Sequence, residues 1–473
     1  MDSKDFRKQG YAMIDRIAFY YQQIEQYKVL AQTEPGSIKN KLPQSMPTNG
    51  EHFETIAKDI DSIIMPGITH WQHPGFMAMF PSNASFPSIL GELFAAGLGI
   101  NAMFWDTSPA AAELEEQVLN WLRDATGLPN TFKGVIHDTA SSSTFTAIIC
   151  SREKISNYNI NENGFKDFTS CTIYCSNQAH YSVEKGAKAA GIGKNNVRKI
   201  VTDRNFAMDV NALEQTILSD IQNGKKPMMV VATLGTTNSL AFDPLFEIGN
   251  ICKKYNLWLH VDAAYSGSAF ILPEYQYLLK GIENADSYVM NAHKWLMTNF
   301  DCSCFYVQDD TLLINTFSNN PDYINATSDN AVRNYKDWGL PLGRRFRALK
   351  LWFVLRNYGL HGLQTILRNH IAIADTLYSQ FVNHPNWEIM APFAMNVICV
   401  RYNNTDLLIE NHVDIFNEQL LKQINQSGNF YLTGTKLNGQ YVLRIVPGQE
   451  HVTRQHTDKL FAELNAAAVQ LIN

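Results

Sequence analysis

Two charged residues stand where charge is costly. Asp262 ends the apolar run LWLHVD, and Lys294 sits in NAHKWL, between His293 and Trp295, just past the apolar run SYVMN. Charged side chains are rarely buried without a partner. A buried lysine beside another cation can lose its proton and form an imine with a carbonyl. A carboxylate facing a pyridine nitrogen keeps that nitrogen protonated and makes the ring an electron sink. The pair therefore suits pyridoxal 5′-phosphate (PLP), with Lys294 as the imine-forming amine and Asp262 on the ring nitrogen. Each residue alone has an ordinary alternative. Asp262 can cap a turn or bind a metal, and Lys294 can reach solvent along its apolar stem.

Other stretches supply what such a cofactor needs. GVIHDTASSSTFTAII places Thr139, Ala140, Ser141, Ser142 and Ser143 ahead of an apolar helical run. Hydroxyls and free N–H groups at a helix N-terminus hold phosphate, whereas an ordinary N-cap uses one such residue. No GxxxxGKS/T loop is present. His180 follows the apolar run CTIYCS, where an imidazole can stack on a flat ring or serve the structure alone. ATLGTTN puts Thr236 and Thr237 at another run's end, where turn chemistry is the alternative. Tyr323 lies in the polar stretch FSNNPDYINATSDN, either as an acid delivered by a loop or as an exposed tyrosine. Arg344, Arg345 and Arg347 read as a solvated or ion-paired helix start.

The elements that must position these residues are legible in outline. The chain has 473 residues, 45% of them apolar, and a formal net charge of −6. That allows a large core. The mild acidity and the lack of a Lys/Arg-rich block argue against nucleic acid. MDSKDFRKQG has no apolar signal core, and runs such as MMVVATL are too short to span a bilayer. Seven cysteines are scattered without a CxxC, and Cys302 and Cys304 read as strand residues, not a metal clip. A cytoplasmic protein with no membrane and no metal is the expectation.

Phe6, Met13, Ile14, Ile17, Tyr21 and Ile24 recur at helical spacing, and a proline-rich connector follows. SPAAAELEEQVLNWLRDATG predicts a helix with Ser108 as N-cap, Pro109 at its first position and Gly127 at its end. CTIYCS, KPMMVVATLG, LWLHVDA and SYVMNA predict buried strands, with helices such as FDPLFEIGNICKKYN between them. This is an α/β pattern with a mostly parallel sheet covered on both faces, whose ligands bind beyond the carboxyl ends of the strands. After about residue 365 a long helix, weaker strands (NVICVRY, QYVLRIV) and a final helix indicate a small α+β domain. The expected division is 1–80, 81–365 and 366–473.

Together these stretches resemble the PLP-dependent group II amino-acid decarboxylases, most closely the aromatic-L-amino-acid decarboxylases. THWQHPGFMAMFPS, SPAAAELE, YCSNQAHYSVE, VVATLGTT, WLHVDAAYSGSAF, NAHKWL, NFDCS and PLGRRFRALKLWFV run in family order over residues 69–355. The resemblance implies PLP fold type I: an N-terminal helical segment, a large domain on a mixed, mostly parallel seven-stranded sheet, and a small C-terminal domain. It implies a homodimer whose subunits share the active site. It gives Lys294 as the Schiff-base lysine, Asp262 as the partner of the pyridine nitrogen and His180 as the stacking base. Thr139, Ala140, Ser141 and Asn291 fall on phosphate contacts, Thr237 and Ala264 on ring-lining positions, and His293, beside the cofactor lysine, on a further cofactor-binding position. Tyr323 matches a loop tyrosine that protonates the substrate carbon from the partner subunit.

For the substrate side chain, the resemblance points to Trp71, Phe80, Ser82, Met103 and Gly343. Gly343 sits where histidine decarboxylases tend to carry Ser, and Gly leaves space for a bulky ring. Met79 and Met103 replace residues that are aromatic in the animal enzymes, and Asn101 is polar; methionine adapts its shape. The implied reaction is decarboxylation of phenylalanine, tyrosine, tryptophan or a hydroxylated form to the amine. Aldehyde-forming relatives often carry Phe at the loop Tyr or Asn at the stacking His, and here Tyr323 and His180 are retained. An aldehyde synthase, a decarboxylase of a non-aromatic amino acid and a non-catalytic relative are the competing readings.

Overall fold

The computed structural model describes residues 1–166, 170–319, 332–404 and 410–472. The chain forms two compact units, Ser82–Asn369 and Met1–Pro81 with His370–Asn473.

The first of these is built on a seven-stranded sheet. Its strands are β1 (Lys133–His137), β2 (Cys171–Ser176), β3 (Val197–Ile200), β4 (Lys226–Thr233), β5 (Trp258–Asp262), β6 (Ser287–Asn291) and β7 (Ser303–Val307). They lie in the order β1-β7-β6-β5-β4-β2-β3. The run from β3 to β6 is parallel, and β7 is antiparallel to both its neighbours, β1 and β6. Every residue of β2, β5, β6 and β7 is buried, as expected of apolar strands with helices on both faces.

Register decides which side chains share a face. Thr233 pairs with Asp262, Asp262 with Val289, Asn291 with Ser303, and Ser303 with His137. Thr233, Asp262, Asn291, Ser303 and His137 therefore point to one side, near the ends of their strands. The helix Ala140–Ser156 crosses that side. Its Ser143 Oγ lies 3.1 Å from His137 Nδ1 and 3.4 Å from Ser303 Oγ. Ile148, Ile149, Val183, Val231, Val289 and Phe305 fill the core there.

The helix Pro109–Thr126 begins and ends as its sequence predicts: Ser108 accepts the Ala111 N–H, Pro109 occupies the first turn, and Gly127 takes a left-handed conformation (φ 78°). The long helical segment begins earlier than its apolar pattern suggested, at Arg347, and runs to Val382 with a non-helical break at Gly359 (φ 65°).

The other unit opens with the helix Ser3–Gln22, whose N-cap Asp2 accepts the N–H groups of Lys4 and Asp5. It also holds an antiparallel sheet of β8 (Trp387–Ile389), β9 (Ile398–Tyr402), β10 (Thr433–Leu437) and β11 (Gln440–Ile445), in the order β10-β11-β9-β8. Val400, Leu420, Leu443, Leu460 and Leu464 form its core. No described helix is long and apolar enough to cross a membrane.

Candidate active site

The turns after β5 and β6 bring the two sequence-predicted charges to adjacent strand ends. Asp262 is buried, and its Oδ1 accepts the Ala264 N–H at 3.0 Å. The Asn291 N–H donates to the Ala264 carbonyl at 3.0 Å, which ties the two turns together. Lys294 lies on the single helical turn Ala292–Trp295. Its carbonyl accepts the Asn83 side-chain amide at 3.2 Å. The buried rings of Tyr265 and Trp295 stack 5.0 Å apart, 11° from parallel. One ring follows Asp262 and the other follows Lys294, so the stack couples both positions.

His180 belongs to the same electrostatic neighbourhood. Burial pushes its pKa down, Asp262 pulls it up, and Lys294 pushes it down further. Its Nδ1 lies 2.8 Å from Ser182 Oγ and accepts the Ser182 N–H at 3.3 Å. A nitrogen that accepts an N–H carries no proton, so the neutral ring carries its proton on Nε2.

Thr139 caps the helix Ala140–Ser156, accepting the Ser142 N–H at 3.4 Å. That uses one hydroxyl and leaves the first turn as a cluster of donors. Asn291 is buried on the same side of the sheet, and its side-chain oxygen has no partner among the described residues. With the amide turned over, it presents two donors instead. This donor set fits a phosphate: hydroxyls, helix N-terminal N–H groups and a buried amide. Lys294 and Asp262 fit the carbonyl and the ring nitrogen of the same molecule.

The remaining predicted positions divide. Thr236 is spent in its turn: its Oγ1 accepts the Ala241 N–H at 3.0 Å and lies 3.1 Å from Ser239 Oγ. Thr237 and Ala264 are half-buried at the ends of β4 and β5. His293 is buried, and its Nδ1 accepts the Cys302 N–H at 2.8 Å. Burial, then the Lys294 charge, pushes its pKa down to about 3, so it is neutral at pH 7.

Met103, Asn101 and Gly343 meet in one place. The Ala102 N–H donates to the Arg344 carbonyl (2.9 Å), and the Arg344 N–H donates to Asn101 Oδ1 (2.8 Å). The Lys336 N–H donates to the Met103 carbonyl at 2.7 Å. A cavity of about 160 Å³ is lined there by Gly343, Ser142, His137 and Trp338, without Lys294, Asp262 or His180 in its walls. Ser82 adjoins Asn83, the residue that holds the Lys294 carbonyl. Arg344 is buried, not solvated, and pairs with Glu115 at 2.5 Å.

Trp71 and Phe80 lie in the other unit. Trp71 stacks on Phe76 at 4.4 Å, and the Arg444 guanidinium covers the Phe80 ring at 4.5 Å. Tyr323 lies outside the described residues. Sequence reading missed Asn83, the Tyr265–Trp295 stack and His137. Only His137 had a local signal: it closes the apolar run GVI, as His180 comes shortly after CTIYCS.

The pyridoxal-dependent decarboxylase conserved domain matches residues 35–403. Tyrosine decarboxylase 3 of Petroselinum crispum is 40% identical over 486 aligned residues, covering 100% of this chain and 93% of that protein. Phenylacetaldehyde synthase of Arabidopsis thaliana is 39% identical over 486, covering 100% and 98%. The crystal structure of Oryza sativa TDC with PLP and tryptamine superposes with a TM-score of 0.97 at 32% identity, covering 100% of this chain and 99% of that one. With Lys294 and Asp262 past adjoining strand ends of a fold type I sheet, the chain belongs to the pyridoxal-dependent decarboxylase family and uses PLP as its cofactor.

Proposed function

We propose that the protein decarboxylates an aromatic L-amino acid to the amine and CO₂. The observation that carries this reading is the placement of Asp262 and Lys294 on adjoining strand ends, with His180 in the field of both. Relatives named for tyrosine decarboxylation and for phenylacetaldehyde synthesis support an aromatic substrate and keep decarboxylation-dependent aldehyde formation as the second reading.

When bound, PLP supplies an electron sink for the pair left behind as CO₂ departs. In this proposal Thr139, Ala140, Ser141 and Asn291 hold the phosphate, with His293 beside them and Thr237 and Ala264 against the ring. Asp262 keeps a proton on the ring nitrogen. Lys294 anchors the cofactor and moves protons at its Nζ. The neutral His180 ring offers a flat face with its proton on Nε2. Ser82, Met103 and Gly343 receive the side chain, in an apolar setting that disfavours the carboxylate ion and favours neutral CO₂. Tyr323 protonates the substrate carbon.

We also read the protein as a cytoplasmic homodimer in which the partner subunit supplies Tyr323. The helix Phe86–Leu98 exposes Phe86, Leu90, Leu93, Phe94 and Leu98, an apolar face of the kind that another subunit covers. All seven cysteines are buried, and no disulfide forms among the described residues, as suits a reducing compartment.

The test is a panel of aromatic amino acids assayed for CO₂, amine, aldehyde, ammonia and hydrogen peroxide. Amine and CO₂ in equal amounts are expected, from a yellow protein whose visible band Lys294→Ala abolishes. Aldehyde with ammonia and peroxide would establish the second reading. A colourless protein after PLP reconstitution would overturn both. Tyr323→Phe should lower the amine yield and raise the aldehyde yield.

A further inference from the structure

His137 ends β1, half-buried between the helix Ala140–Ser156 and the segment Tyr335–Trp338. Its Nε2 lies 3.2 Å from the Trp338 carbonyl. A carbonyl has no proton to give, so Nε2–H is the donor. Burial depresses the ring's pKa to about 4, so at neutral pH the other nitrogen, Nδ1, is bare and must accept. The hydroxyl facing it, at 3.1 Å, is that of Ser143. Ser143 stands in the first turn of the helix. Its Oγ also lies 3.3 Å from the carbonyl of Thr139, the N-cap, and 3.4 Å from Ser303 Oγ on β7.

The ring is fixed on its other sides too. It stacks on Phe305, with centroids 5.2 Å apart and planes 20° from parallel. A Cβ on Gly339 would come within 3.2 Å of Nε2, so the glycine lets the segment approach. The imidazole thus makes one directional bond to the segment Tyr335–Trp338 and one to the helix's first turn. An apolar side chain of similar size would fill the space and make neither bond.

We propose that His137 is a positioning residue that sets the first turn of the helix Ala140–Ser156 for the cofactor phosphate. This rests on the reading that Thr139, Ala140 and Ser141 hold that phosphate. His137 does not touch the cofactor. It acts through Ser143, whose hydroxyl gives its one proton to Nδ1 while its backbone N–H donates to the Thr139 carbonyl at 3.1 Å and ties it to the N-cap.

The experiment compares holoenzymes of the wild type, His137→Leu, His137→Gln and Ser141→Ala. The rate of PLP loss on dilution is read from the visible absorbance, and the environment of the bound phosphate from its ³¹P resonance. His137→Leu should lose PLP at least about tenfold faster and shift the ³¹P resonance, because second-layer partners tune what they orient. His137→Gln can accept through Oε1 and donate through Nε2, so it should stay within about threefold of the wild type. If His137→Leu gives no soluble protein, Ser143→Ala carries the same expectation, since it removes the hydroxyl that Nδ1 accepts.

A His137→Leu enzyme with wild-type PLP loss and an unmoved ³¹P resonance overturns the proposal. So does a His137→Gln enzyme as leaky as the leucine variant. If Ser141→Ala changes neither readout, the phosphate is not held at this turn, and the underlying reading fails instead. If Ser141→Ala moves both readouts and His137→Leu moves neither, only the role of His137 falls.

Discussion

The rings of Tyr265 and Trp295 lie 5.0 Å apart and nearly parallel, Tyr265 three residues past Asp262 and Trp295 directly after Lys294. Asp262 and Lys294 are on different strands, and their separation depends on how the two following turns pack. The stack fixes both turns, together with the Asn291 N–H bond to the Ala264 carbonyl. Tyr265→Leu removes a fully buried ring and leaves a cavity, so it should lower unfolding free energy by about 2–4 kcal/mol. It should also lower kcat more than it raises KM, since the reacting groups lose alignment while the substrate pocket is intact. Denaturant unfolding and steady-state kinetics check both. Unchanged kcat in a destabilised variant would confine the stack to a structural role.

Asp262→Asn tests charge separately from shape. An asparagine keeps an oxygen for the Ala264 N–H, now 3.0 Å from Asp262 Oδ1, so the turn should persist. The negative charge is lost, and kcat should fall by at least about 100-fold if that charge holds a proton on the ring nitrogen. The same substitution should lower the His180 pKa further, because Asp262 now pulls it up against burial and Lys294. An NMR titration of His180 measures this. A His180 pKa that rises or stays put would mean that the two groups do not share a site.

Much of this arrangement is readable from local sequence, because strands and helix ends carry local signals. Continuous apolar runs give the buried strands β2, β4, β5 and β6, and Ser108, Pro109 and Gly127 mark a helix at both ends. Chemistry placed just after strands gives the region of the site, since a parallel sheet exposes its carboxyl ends. What escapes is contact between residues far apart in the chain. Asn83 reaches the Lys294 carbonyl across 211 positions, and Arg344 reaches Glu115 across 229. No periodicity encodes such a pair, so three arginines in four positions look alike although one of them is buried. The Trp295 ring similarly gives no hint that its partner is Tyr265.

Acid should weaken the large unit in a defined window. Burial holds His137 and His260 to pKa values of about 4 and His293 to about 3. In the unfolded chain each titrates near 6.5. Folded values below unfolded ones mean that this stability is fully present above pH 6.5 and is lost as pH falls towards the folded values. At pH 5 each histidine costs about 2 kcal/mol relative to pH 7.5 by proton linkage. The denaturant midpoint should therefore drop steeply between pH 6.5 and 5. His137→Gln removes one titrating group, and its loss over that range should be smaller by about 2 kcal/mol. An equal loss in the variant would show that His137 takes up its proton in the folded protein as easily as in the unfolded one.

Gly343 offers the sharpest handle on substrate choice. A Cβ built there meets nothing nearer than Asn101 Nδ2, at 3.6 Å, an ordinary contact. Gly343→Ser should therefore fold normally, with a melting temperature within about 2 °C of the parent. Its new hydroxymethyl group would occupy space beside Met103 and Asn101, in the region proposed to receive the substrate ring. A two-ring indole needs that space more than a single phenyl ring does. The ratio of kcat/KM for tryptophan to that for tyrosine should fall by about tenfold or more, the scale on which a pocket discriminates a group of this size. Amine formation from both substrates, measured on one preparation, gives the ratio directly. A variant that loses activity equally on both would show that Gly343 shapes something other than the side-chain pocket. An unchanged ratio with full activity would place the ring elsewhere.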